Sequence, residues 1–84
     1  MTQCRVAQII EDVITGRVTS RADFAARCAE LDGVLDATCA AHLHEAGHYL
    51  DDADIRRRDE RYGVSQRRRL EAAIVELRSV PSSV

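Results

Sequence analysis

The sequence predicts an all-α fold, a small antiparallel four-helix bundle, from three observations. Apolar residues recur at i, i+3, i+4 and i+7 in successive windows, the spacing that lines one face of a helix. Between these windows stand helix stop and start residues: Gly16, Ser20, Asp32-Gly33 and an acidic cluster at 51–54. Aromatic residues make up only 4% of the chain and there is a single Pro, a composition typical of helical bundles.

The first helix is expected over about residues 3–15, where Val6, Ile9, Ile10, Val13 and Ile14 share one face and Gly16 ends the run. Ser20 then acts as N-cap with Asp23 at the third helical position, opening a helix over about 21–31 that carries Phe24, Cys28 and Leu31 and stops at Asp32-Gly33. From Asp36 a third helix places Leu35, Cys39, Leu43, Ala46 and Leu50 within roughly 80° of one another, a core-facing stripe. Asp51, Asp52 and Asp54 interrupt it and offer N-cap chemistry for the next element. The fourth helix either starts near Asp54 or breaks at Gly63. Ser65 could cap a separate last helix bearing Leu70, Ala73, Ile74 and Leu77, yet Ile55, Tyr62, Gln66, Arg69 and Ala73 also hold one face across the gap. Residues 1–80 read as a single domain, and Pro81-Ser82-Ser83-Val84 as a frayed tail.

With 84 residues there is room for one thin core, filled by Val, Ile, Leu and Ala, and little chain left to line a reaction cleft. The length therefore favours binding over catalysis. A net charge of −2 conceals an uneven distribution: residues 1–54 hold ten acids and four Arg, net −6, and residues 55–84 hold four acids and eight Arg, net +4. All twelve basic residues are Arg, which fits either GC-rich coding or a use for bidentate contacts. Cys4, Cys28 and Cys39 have no paired spacing, and neither a signal-peptide pattern nor a membrane-length apolar run is present, so a reducing cytoplasm is the expected compartment. Cys28 and Cys39 fall on apolar faces and are expected to pack as small core residues.

One motif points towards chemistry. His44-Glu45-Ala46-Gly47-His48 satisfies HExxH, in which two histidines one turn apart bind zinc and the glutamate polarises a water. A working site needs a third ligand, and only Asp51, Asp52 and Asp54 follow closely enough to try. His44 and His48 point roughly 140–180° away from the Leu35/Cys39/Leu43/Leu50 stripe and are expected in solvent. Gly47 in mid-helix, at about 1 kcal/mol relative to Ala, is also odd for a rigid catalytic helix. No phosphate-binding loop, nucleophile motif or CxxC pair occurs, so neither enzyme activity, nor a cofactor, nor a resident metal is expected.

Arg56, Arg57, Arg58 and Arg61, followed by Arg67, Arg68 and Arg69, are the strongest basic feature and could follow a phosphate backbone. Asp59 and Glu60 lie among them, and ion pairs from Arg56 to Glu60 and to Asp59 would explain the charges as a solvated helix face, so direct nucleic-acid binding is not expected. Tyr49 and Tyr62 suit either an interface or the rim of a thin core.

Three stretches carry a resemblance to a known family. They are Ile9-Ile10-Glu11-Asp12-Val13-Ile14 through Gly16-Arg17-Val18-Thr19 to Phe24-Ala25-Ala26-Arg27-Cys28; Tyr49-Leu50-Asp51-Asp52-Ala53-Asp54; and the closing helix around Leu70, Ile74 and Leu77. In order and length they resemble the colicin D immunity proteins, small cytoplasmic four-helix proteins that bind and silence a cognate tRNA-cleaving bacteriocin domain. The resemblance implies a monomeric inhibitor with a protein partner, whose acidic side chains occupy the place of RNA phosphates in a basic nuclease site. Carried over by position, those acids are Asp52 and Asp54, with Asp51, Asp59 and Glu60 nearby and Tyr49 before the turn. Plain helix capping explains the same aspartates equally well. Arg56, Arg57, Arg58 and Arg61 depart from the pattern, because they weaken the negative field unless they lie on another face. Two alternatives stand beside this reading: a helical adaptor that docks through exposed apolar residues of the last helix, and a zinc-binding protein using His44 and His48.

Overall fold

The computed structural model describes residues 2–31 and 35–79. Within them the chain is all-helical, with five helices: α1 (Thr2–Ile14), α2 (Arg21–Ala29), α3 (Ala37–Asp51), α4 (Ala53–Arg58) and α5 (Glu60–Ser79). None is long and apolar enough to cross a membrane. The expected stop at Asp32-Gly33 and the tail 81–84 lie outside the described residues.

The core is built on α1. Val6, Ala7, Ile9, Ile10, Val13 and Ile14 are all buried, and α1 packs mainly against α5 and then α3. From the other side come Cys39, Leu43 and Ala46 of α3 and Leu70, Ala73, Ile74 and Leu77 of α5, with Leu35 and Leu50 partly buried at the rim. Each fully buried aliphatic side chain contributes about 1.5–3 kcal/mol through removal of apolar surface from water. Phe24 attaches α2 to this core, while Cys28 and Leu31 reach only its edge.

α1 ends in a left-handed glycine cap. Gly16 has φ +83°, its N–H donates to the Val13 carbonyl, and the N–H groups of Arg17 and Val18 both donate to the Asp12 carbonyl. The turn drives Val18 into the core. The Asp12 side chain is itself buried and accepts from Gln8 Nε2 at 3.0 Å and from the Arg27 guanidinium, with Arg17 Nη1 at 3.5 Å. A buried carboxylate is tolerable only when paired and hydrogen-bonded in this way, and the pairing ties α1 to α2.

The expected N-cap is present, Ser20 Oγ accepting from Asp23 N at 3.1 Å, and α3 is capped in the same way by Asp36, whose Oδ1 accepts from Cys39 N at 2.7 Å. Gly47 has a packing reason. α2 crosses α3 there, and an added Cβ would meet the Arg21 guanidinium and stand 3.4 Å from the Phe24 ring. The helix-propensity loss thus accompanies a close crossing that buries Phe24.

The fourth expected helix is divided, but not at Gly63. α5 runs unbroken through Gly63 and Ser65, and the division falls at Asp59, whose extended backbone (φ −135°, ψ 99°) separates α4 from α5. Asp59 Oδ1 accepts from Tyr62 N at 3.2 Å, the capping role that the sequence also offered to Ser65. The shared face from Ile55 to Ala73 is not realised, because the break at Asp59 leaves Ile55 exposed while Gln66 and Ala73 are buried.

Candidate functional site at the corner between α3 and α5

Helix α3 ends at Asp51, Asp52 turns the chain into the six-residue α4, and Asp59 turns it again into α5. Two helix breaks this close together gather the aspartates of 51–59 at one corner. The sequence-predicted residues Tyr49, Asp51, Asp52, Asp54, Asp59 and Glu60 therefore share a region, but they do different things in it.

Asp52 is half-buried and holds the corner together. It does not cap α4 with its side chain; its Oδ2 accepts from Tyr62 Oη at 2.7 Å and from Gln66 Nε2 at 3.0 Å. Gln66, buried in the first turns of α5, accepts through Oε1 from Arg56 Nη1 at 3.1 Å, and Arg56 also donates to the Tyr49 carbonyl. The Arg56 guanidinium lies over the Tyr49 ring, 3.6 Å from its centroid. This network joins α3, α4 and α5. It also replaces the Arg56–Glu60 and Arg56–Asp59 ion pairs expected from helical spacing, because the break at Asp59 takes those acids off the helix that carries Arg56.

The other acids are engaged to differing degrees. Asp51 Oδ1 stands 3.5 Å from Arg21 Nε, and Asp54 Oδ1 is 2.6 Å from Arg57 Nη2 in a fully exposed pair worth little in water. Asp59 caps α5, and Glu60 is exposed beside Arg61, Val64, Ser65, Arg68 and Arg69 around an open groove of about 500 Å³. Arg58, Arg61 and Arg68 are exposed, with no ion-pair partner among the described residues.

Hydrogen bonding sets the ionisation here. The Tyr62 hydroxyl, aided by the Gln66 amide and the nearby His48 and Arg56, holds the Asp52 carboxyl below the usual carboxylate range against partial desolvation. The same bond raises the Tyr62 phenol, with burial and the Asp52 charge acting in the same direction. The Tyr62 and Gln66 contacts were the residues the sequence reading did not assign to this corner. Their signal was present as Asp59-x-x-Tyr62, an N-cap aspartate three residues ahead of the residue it caps, and as a lone Gln66 on an otherwise apolar face.

Adjacent to Asp52, between α3 and α5, lies a second surface cavity of about 330 Å³ lined by His44, Glu45, His48, Asp52, Tyr62, Gln66, Arg69 and Leu70. His44 and His48 are exposed, as the helical wheel requires, and their Nε2 atoms approach to 3.0 Å with the rings nearly perpendicular. No group of three or more His, Cys, Asp or Glu side chains able to hold a metal occurs among the described residues, so HExxH finds no third protein ligand there. His42 points to the other side of α3, its buried Nε2 3.4 Å from Glu76 Oε2 but not aligned for a hydrogen bond. Comparison with protein-family models, curated proteins and solved structures gives no match to this chain.

Proposed function

We propose that this protein is a non-catalytic inhibitor of the colicin D immunity type: a monomeric, cytoplasmic four-helix frame, with α4 as a short spur, that binds a tRNA-cleaving toxin domain and covers its basic active site. The observation that carries the reading is the concentration of five acids at the corner between α3 and α5, none of them buried, around one carboxylate held rigid and ionised. A rigid anion loses little conformational entropy on binding and suits a site shaped for phosphate. The arginines that weaken such a field are partly withdrawn from it: Arg56 is turned inward onto Tyr49 and Gln66, and Arg57 is occupied by Asp54.

The test is co-expression with a colicin D-type tRNase domain, preferably one encoded beside this gene, reading cell survival and tRNA cleavage. Rescue with intact tRNA is expected. Asp54→Lys with Glu60→Lys should abolish it while leaving far-ultraviolet circular dichroism unchanged, since both side chains are exposed. Asp52→Lys is less informative, because that carboxylate also holds the corner. Full protection by the double variant would refute the acidic surface.

One observation favours a second reading, a docking module. Val64 and Val75 are exposed on α5, three turns apart and about 20° from each other around the helix, beside Arg61 and Arg68, which have no ion-pair partner among the described residues. Concentration-dependent self-association in sedimentation analysis would favour it over a monomeric inhibitor.

A further inference from the structure

The geometry points to a bidentate site for a borderline transition-metal ion, Zn(II) or Cu(II), formed by the Nε2 atoms of His44 and His48 on the outer face of α3. With metal–nitrogen bonds of about 2.0–2.1 Å, two imidazole nitrogens in adjacent coordination positions stand about 2.8–3.4 Å apart at bond angles of about 90–109°. The observed separation is 3.0 Å. Residues one helical turn apart on a shared face converge in this way without backbone adjustment, the ring centroids lying 4.5 Å apart.

In the metal-free chain the two Nε2 atoms stand in a nitrogen-to-nitrogen hydrogen bond exposed to water, its donor set by the tautomer, an interaction of small net value. A metal ion needs the lone pairs of both Nε2 atoms, so the ring that carries its hydrogen on Nε2 moves it to Nδ1 through solvent, with no net loss of a proton. No redox change is involved. The lining is net negative: Asp52, one further turn along the same face, and Glu45 stand against the one cation of the cavity, Arg69. Asp52 is committed to Tyr62 and Gln66, so it supplies charge and not a bond. With two protein ligands and no third among the described residues, the remaining positions go to water. That differs from the HExxH peptidase arrangement, and it is independent of toxin binding.

The experiment uses the full tag-free chain in a Cys4→Ser background, which removes the exposed thiol as a competing ligand. Zinc affinity is measured by competition with a chromophoric chelator, and Cu(II) binding by quenching of tyrosine emission, because Tyr62 shares the cavity. Binding of one ion per chain is expected. His44→Ala and His48→Ala should each weaken it at least tenfold with unchanged circular dichroism, since both side chains are exposed. Tyr62→Phe should reduce the Cu(II) quench and retain zinc affinity. Absence of one-to-one binding, or affinity retained in His48→Ala, would overturn the site.

Discussion

The α1 half of the protein and the corner between α3 and α5 are held by different physics. Around α1 the contacts are aliphatic and non-directional: Val6, Ile10 and Val13 meet Leu70, Ile74 and Leu77, and any close-fitting apolar set of the same volume would serve. At the corner the contacts are directional, and each member needs its partner: Arg56 needs Gln66, Gln66 needs Asp52, and Asp52 needs Tyr62. The first half supplies most of the stability. The second sets the position of a short helix and of the charges beside it, and it is where a binding surface can be tuned without rebuilding the core.

The sharpest way to break that comparison is a cavity in the first half. Leu70→Ala, at a fully buried position on α5, should lower stability by about 3 kcal/mol in denaturant unfolding. A loss below 1 kcal/mol would mean that α5 is not anchored to α1 as described. Next in size, Gly16→Ala places a side chain at φ +83° and should lose about 1–2 kcal/mol, with no local clash to blame because nothing lies within 4 Å of the added Cβ. Gln66→Leu keeps the burial but leaves Asp52 and Arg56 each short of a partner; about 1–2 kcal/mol is expected, against near neutrality if the network does not hold the corner.

A smaller effect appears in the pH dependence. The Asp52 and Asp36 carboxyls are both held below their ordinary range, Asp36 chiefly by the Cys39 backbone N–H. The stability they lend is complete above the unfolded carboxylate range, near pH 4, and is lost as pH falls through the lower folded values. Tyr62 has the opposite sign: its phenol is raised, so its contribution is complete below the unfolded phenol range, near pH 10, and is lost as pH rises through the folded value. Thermal melts of Asp52→Asn should show a flatter acid limb than the parent; identical limbs would place the acid sensitivity elsewhere. Thiol labelling should sharpen the contrast with least perturbation. Cys4 is exposed and should react first, Cys28, whose thiol is raised by burial, more slowly, and buried Cys39 only on unfolding.

Much of the fold was legible in residue spacing. The stripes Val6–Ile14, Cys39–Ala46 and Leu70–Leu77 are buried as expected, and Gly16 and Ser20 perform their terminal roles, because periodicity and capping depend on residues within a few positions of each other. The exposure of His44 and His48 follows from the same wheel. The corner was less legible. Asp51, Asp52, Asp54 and Asp59 look alike in sequence, as four short acids with helix-capping chemistry, and nothing local distinguishes the one that accepts from Tyr62 and Gln66, residues ten and fourteen positions later.

What the sequence determined by itself was therefore the helices, their apolar faces and most of their ends. Tertiary structure decided where the last helical stretch divides, which arginine turns inward and which aspartate becomes structural. The physical reason is range. Helical period and caps are settled within one or two turns, whereas the division at Asp59 and the fate of Arg56 depend on α5 returning along α1 and bringing Gln66 and Tyr62 back over the end of α3.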